Sequence, residues 1–443
     1  MGKPIESSAA FLPPDHKDRR RLADEIHSRP PEALETPMRA TLIAMIVDPG
    51  QRQFENQHLA AICQQFDVVP PDDAASHFSA DLGTVRLKWE RHGEFSSFTF
   101  FARGASPTPY SEPPVGMLPR EWIAGLPGAT IFAAHAELIA SGDGEPDADL
   151  LASYFDDNIV VGSSIGNSAG LAYSDFRVHA DGFSRFLLLN RSLTPRQAGR
   201  MLQRLFEIET YRMMAMLALP VAHEQSRRVV GIESALGQLT NDIALKAAAD
   251  EAVLHQLTHL AAEVESCLVA SQFRFGACRA YRDLVLRRIA ELREQKLPGI
   301  QTIEEFMARR FTPAAATCAS TSQRLHDLSE RVAQASALLS MRVDVARETQ
   351  NQMLLASMNR RAKLQLRLQQ TVEILSVVPI TYYVVGLFGH ISEGLKAARV
   401  PVDLDVAQAI AIPIVAAVVI WAIRRAHHRI SEGIAKEPAE FEL

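Results

Sequence analysis

Residues 374–392 read ILSVVPITYYVVGLFGHIS, an uncharged run between Glu373 and Glu393. As an α-helix this run is roughly 28 Å long, enough to cross the hydrocarbon of a bilayer. A second uncharged run, Val406 to Ile423, contains AQAIAIPIVAAVVIWAI and lies between Asp405 and the pair Arg424 and Arg425. The alternative, two buried helices of a soluble core, sits poorly with a segment that is apolar all round and has no polar stripe for water. The two runs therefore predict a hairpin of transmembrane helices at 372–392 and 406–423, joined by an external loop at 393–405.

Outward from the hairpin, the charges set its direction. Arg360, Arg361, Lys363 and Arg367 precede the first run, Arg424, Arg425 and Arg429 follow the second, and the loop carries only Lys396 and Arg399. Cations collect on the cytosolic side, so the expected topology is two-pass in a bacterial inner membrane, with both termini and the tail 424–443 in the cytosol. Trp421 stands at the cytosolic end of the second run, where an indole favours the interface. Pro379 and Pro413 each remove a helical hydrogen bond, which predicts a kink at each and a role for hydroxyls such as that of Thr381 in re-satisfying the freed carbonyl. Residues 1–19 hold Pro4, Pro13 and Pro14 and are expected to be disordered; no apolar stretch follows Arg19, Arg20 and Arg21, so no signal peptide is expected.

A chain of 443 residues exceeds what one core usually organises. Its net charge of −6 offers no basic footprint, which argues against nucleic-acid binding. Cys63, Cys267, Cys278 and Cys318 show no C-x-x-C spacing and fit a reducing cytosol better than a disulfide framework or zinc knuckle.

Upstream of the membrane runs, ATLIAMIVD (40–48) reads as a buried strand, and Gln51 to Phe66 carries apolar residues at helical spacing. VRLKWERHGEFSSFTFFAR, with Gly93 near its middle, reads as a β-hairpin; ATIFAAHAELIA, SDFRVHA and FSRFLLLN read as further strands, the last two joined by Asp181-Gly182. These make an α+β unit at 20–192. Thr194 followed by Pro195 is a helix start, and the pattern then stays helical, giving a second unit at 193–319. Ser320 to Thr371 contains no Pro or Gly and predicts a stalk helix, 320–371, running into the first membrane run. Leu325, Leu328, Val332, Ala335 and Leu339 keep coiled-coil spacing; a seam between subunits and an amphipathic helix lying on its own domain explain them equally well. The expected fold class is an α+β cytosolic domain, then an α-helical domain with a long stalk helix, then a C-terminal two-helix transmembrane hairpin.

Little of the body points to catalysis. His255 and His259 in HQLTH would share a helix face, but no glutamate follows the first histidine and no third ligand is identifiable. GSSIGNSAG, Gly162 to Gly170, lacks the Lys-Ser/Thr ending of a P-loop and reads as a loop between strands. Glu25, His27 and Arg29 could form an acid-base group, yet a structural cap explains them better. Met213, Met214 and Met216 read as core. The reading is of a protein that is not an enzyme and needs no cofactor.

EIHSRP, SDFRVHADGFSRFLL, QRLFEIETYRMMAMLALPVAHE and PITYYVVGLFG together resemble a bacterial family of uncharacterised membrane-anchored proteins, a domain of unknown function, over nearly the whole chain. That resemblance implies a location and no activity. The architecture is also similar, more distantly, to CorA-like magnesium transporters, which place an α+β cytosolic domain before a stalk helix, a first span, a short loop, a second span and a basic C-terminus. Pro379-Ile380-Thr381 and Gly386-Leu387-Phe388-Gly389 look like that family's pore-helix elements with one extra residue between them, but His390 and Ile391 stand where its Met-Asn selectivity pair would be. What this second resemblance implies is a homo-oligomer in the lipid bilayer, conducting or sensing a divalent cation, with Thr381, Gly386 and Gly389 facing the axis and His390 and Glu393 at the external mouth. The runner-up is an anchored scaffold whose cytosolic body binds a partner, and the third reading is a membrane-tethered enzyme using the Glu25, His27 and Arg29 segment.

Overall fold

Strand pairing follows directly from the apolar runs. A computed structural model of the chain describes residues 15–20, 22–23, 30–141, 146–245, 249–397 and 404–434. The first run becomes β1 (Met38–Ile46), buried on both faces and paired antiparallel with β4 (Phe95–Arg103) on one side and β5 (Ala129–Ala140) on the other. A strand lined on both faces by Ala, Leu, Ile and Met belongs in the middle of a sheet. The hairpin signal around Gly93 gives β3 (Arg86–Arg91) and β4, with β2 (His77–Asp81) at the sheet's outer edge.

The nine-stranded sheet has the order β2-β3-β4-β1-β5-β8-β7-β6-β9, where β6 is Val161–Ile165, β7 Gly170–Ser174, β8 Ser184–Asn190 and β9 Gln295–Lys296. The same element series occurs twice. β1, α1 (Arg52–Gln65), β2, β3, β4 and α2 (Arg120–Ala124) are followed by β5, α3 (Ala148–Phe155), β6, β7, β8 and α4 (Pro195–Met216). The halves meet at the β1/β5 pair but are not copies, because β4 runs antiparallel to β1 whereas β8 runs parallel to β5.

One sheet face packs Ile43, Trp89, Phe98 and Phe100 against Leu59 and Ile62 of α1 and Trp122 of α2. Further along the same face, Leu171, Tyr173 and Leu187 pack against Tyr154 and Phe155 of α3. Helix α4 lies on the opposite face, where Phe206 meets Phe186 edge to face. Thr194 caps α4 in a reciprocal capping box with Gln197, as the Thr-Pro start implied.

Helices α5 (Ala218–Leu245) and α6 (Asp250–Leu292) bury residues in alternating steps of three and four: Ala222, Gln225, Val229, Ile232 and Leu236 on the first, Val253, Leu257, Leu260, Val264 and Cys267 on the second. After α7 (Ile303–Arg310), one helix, α8, runs from Thr312 to Ala397. Its residues Cys318, Leu325, Leu328 and Val332 are all at most 2% exposed within the single chain, and Arg324 pairs with Glu233 of α5 at 2.7 Å. The coiled-coil spacing of the expected stalk is thus used here against the chain's own helices. Leu339 is buried too, and Ala335 is half-buried.

Two compact units result, Met1–Ala337 and Leu338–Leu443. In the second, α8 runs on through Pro379 and α9 spans Leu404–Ile434. The expected external loop at 393–405 is described only at its ends, which are helical; 398–403 lie outside the described residues. The segments 1–14 and 435–443 lie outside them as well.

Two local expectations are corrected. SDFRVHA is not a strand: β7 ends at Ser174, and Asp175 caps the turn by accepting from the Arg177 N–H at 3.2 Å while Phe176 takes a left-handed conformation. Gly162 to Gly170 is mostly paired rather than loop, since β6 and β7 form a hairpin whose turn is Gly166–Ala169. Gly162 is required there because a Cβ would lie 2.3 Å from the Tyr173 ring.

Candidate functional site

All six residues expected at a pore fall on α8. Thr381 donates its hydroxyl to the carbonyl of Val377 at 2.7 Å. The carbonyl that loses its N–H partner to Pro379 is that of Leu375, four residues back, so this hydroxyl does not replace the missing bond. Gly386 is exposed, and a Cβ there would meet nothing within 4 Å. Gly389 is half-buried and His390 exposed, and Glu393 continues the same helix. The helical run Ile303–Ile391 holds a window of mean hydropathy 1.7, long and apolar enough to cross a membrane by length and composition, while Ala409–Ala422 of α9 is a shorter apolar stretch.

Elsewhere the sequence candidates disperse. Glu25, His27 and Arg29 lie outside the described residues. His255 and His259 are exposed on α6, and among the described residues no group of three His, Cys, Asp or Glu side chains is arranged to hold a metal ion. Met214 is core and Met213 and Met216 are half-buried.

The body contains a cavity that the motifs did not mark. Side chains at i and i+2 of a strand share a face, so Lys88 and Glu90 of β3 project together, opposite Leu87 and Trp89. Their charges meet at 3.1 Å. The register continues the floor across neighbouring strands, with Lys88 beside Thr99, Thr99 in turn beside Leu42, and Glu90 beside Ser97. The roof is one face of α4, from Gly199 through Gln203 and Phe206 to Thr210 and Tyr211. Half-buried Glu32 and His92 form the rim.

The rim and roof are held in place. Glu32 accepts from Ser79 at 2.6 Å and pairs with Arg86 at 2.8 Å. At Gly199 a Cβ would lie 1.7 Å from the Glu32 carbonyl oxygen, so only glycine lets the N-terminal segment cross α4 there. Glu207 pairs with Arg288 and accepts from Gln203 at 2.7 Å. Burial, then the Glu207 charge, pushes the Tyr211 hydroxyl well above its usual range, so it stays a donor. The amide oxygen of Gln203, Oε1, is buried with no hydrogen-bond partner. The cavity has room for about 200 Å³.

A second polar cluster occupies the other sheet face. His179 has Nδ1 at 3.0 Å from Asp156 and Nε2 at 2.8 Å from the fully buried carboxylate of Asp175, the latter out of line for a hydrogen bond. Arg185 pairs with Asp156 at 2.9 Å and lies 5.3 Å over the Tyr110 ring. Bonds from His179 and Arg185 hold the Asp156 carboxyl below its usual range. Glu137 accepts from the Tyr110 N–H at 2.9 Å and from the Tyr154 hydroxyl at 3.3 Å. Burial, reinforced by the Glu137 charge, pushes Tyr154 up to about 12. Tyr110, Asp156 and Phe176 all have left-handed backbones, at φ of 59°, 50° and 53°. Such strain persists only where the surroundings over-determine it. The contacts of His179, Asp175 and Arg185 tie the β7–β8 loop to the sheet and to the turn after α3.

The four cysteines are free and buried. Cys278 of α6 and Cys318 of α8 share a hydrogen bond, which, aided by Arg282, Arg274 and Arg279, lowers the Cys278 thiol to about 7 against the effect of burial and pushes Cys318 up.

The chain matches, over residues 14–430, the family model described as "Protein of unknown function (DUF3422)". No curated protein and no solved structure matches it.

Proposed function

The chain belongs to the DUF3422 family of proteins of unknown function, and from that starting point we propose that it is a non-enzymatic, membrane-anchored protein. In this reading the apolar part of α8 and α9 form a two-pass hairpin in a bacterial inner membrane, with both termini and the body in the cytosol. The observation that carries it is the apolar surface of these helices: Leu375, Val378, Leu387, Ile414, Val418 and Trp421 are all exposed. In water such a surface forfeits the hydrophobic term, about 25 cal/mol per Å² of apolar area left wet, whereas a bilayer covers it. The flanking Arg and Lys residues give the orientation.

The test is fractionation of cells making the full chain, followed by an alkaline carbonate wash. Anchored protein stays in the pellet, and a cysteine placed between Ala397 and Val402 labels from outside while one near Glu437 does not. Release into the supernatant overturns the anchor, and the opposite labelling reverses the topology.

A second reading, a homo-oligomeric CorA-like ring passing a divalent cation, is favoured by the bare strip at Gly386, where another helix can approach closely. One hairpin cannot enclose a pore, so this reading needs a ring. Protein reconstituted in liposomes is then expected to take up magnesium, cobalt, nickel or zinc, and Gly389→Leu to abolish uptake while leaving the oligomer assembled. Absence of flux for every ion, with or without a membrane potential, leaves the anchored scaffold with a partner-binding body.

A further inference from the structure

We propose that the cavity between β3, β4 and α4 binds a small zwitterion, a free α-amino acid with an apolar side chain. The inference concerns the body alone and does not depend on the membrane reading. Lys88 and Glu90 are 7% and 9% exposed, and they point into the cavity side by side. A buried ion pair is commonly no more stabilising than apolar residues of the same volume, so its presence on a sheet face under a helix calls for another role.

The charge pattern selects the ligand. An ammonium and a carboxylate 3.1 Å apart offer a complementary partner to each end of a zwitterion, the ligand's carboxylate to Lys88 and its ammonium to Glu90. A lone anion would leave Glu90 buried beside like charge, and a lone cation would do the same to Lys88. The other two carboxylates at the cavity are already engaged, Glu32 by Arg86 and Glu207 by Arg288. Gln203, on the roof above the pair, has its amide oxygen buried with no hydrogen-bond partner, an unmet acceptor at the wall of the same cavity. Ser97, Thr99 and Thr210 supply hydroxyls, while Leu42, Leu202, Phe101 and Phe206 wall the remaining space, which suits an apolar side chain. Room for about 200 Å³ sets the size, enough for leucine and too small for a peptide.

The experiment is isothermal titration of the full-length purified protein with leucine, and separately with its two halves in charge, 3-methylbutan-1-amine and 4-methylpentanoate. Leucine is expected to bind, and each analogue at least about tenfold more weakly, because each sets its single charge beside a like charge of the floor pair with no opposite charge to offset it. Lys88→Met with Glu90→Gln removes both charges at near-constant volume, keeps the thermal unfolding transition and loses leucine binding. Heat uptake equal for leucine and both analogues, leucine binding retained in the double variant, or no binding of leucine, valine or phenylalanine up to about 10 mM overturns the proposal.

Discussion

Acid should weaken this protein through one histidine before its carboxylates titrate. His135 is 4% exposed on β5, its ring stacked at 4.0 Å on Phe183 and its Nδ1 at 2.9 Å from the Thr41 hydroxyl. Burial lowers its pKa to about 4, with nearby Asp181 opposing the shift and Arg185 adding to it. In the unfolded chain the imidazole titrates near 6.5. The unfolded state therefore binds the proton first as pH falls, so the contribution is whole above about 6.5 and is lost progressively down to about 4. A pKa difference of that size corresponds to about 3 kcal/mol. For a unit of this size, that lowers the melting temperature by roughly 4–5 °C. Thermal unfolding of the full chain between pH 7.5 and 4 should show this decline, and His135→Gln, which keeps a polar partner for Thr41, should start lower at pH 7.5 and flatten the slope. Parallel declines in wild type and variant over the whole window would refute the assignment to His135.

Two further outcomes follow from buried pairs. Glu55 of α1 is fully buried and accepts from Trp89 Nε1 at 3.0 Å and from Arg91 at 2.8 and 3.0 Å; Glu55→Gln should cost about 3 kcal/mol, and adding Arg91→Met should cost less than the sum of the two single changes. Additive losses would show the pair to be uncoupled. Because the Cys318 hydrogen bond is the largest cause of the lowered Cys278 thiol, Cys318→Ala should raise the midpoint of the pH profile of Cys278 methanethiolation by about one pH unit or more. An unmoved midpoint assigns the low value to the arginines instead.

The candidate pocket shows why half of this site was visible in the sequence. In VRLKWERHGE the alternation already placed Lys88 and Glu90 on one side and Leu87 and Trp89 on the other, and the β-hairpin reading of that stretch held. Alternation alone assigns charged positions to solvent, however, because nothing local tells a strand which of its faces a helix from a hundred residues later will cover. Gln203 and Thr210, in the dense helix QRLFEIETYRMMAMLALP, carried no signal either until α4 lay over Ser97 and Thr99.

What the sequence determined by itself are the properties set by neighbours along the chain: a buried strand at 40–48, which the fold forms over Met38–Ile46, the capped start at Thr194, the uninterrupted helix through 320–371 and the two uncharged runs near the C-terminus. Periodicity, capping and the absence of Pro and Gly act within a few residues, so they are legible without a fold. Only the tertiary structure decided which surfaces meet. The heptad stripe Leu325, Leu328 and Val332 would serve a second subunit as well as its own chain, and it is buried within the one chain, where Arg324 reaches Glu233 of α5. Likewise Asp156, Asp175, His179 and Arg185 become a cluster only when a left-handed turn after α3 and the loop after β7 converge. The reason is physical: a pattern of apolar and charged residues states what each surface needs, and the folded chain supplies whichever partner satisfies that need at the least cost in loop closure and desolvation.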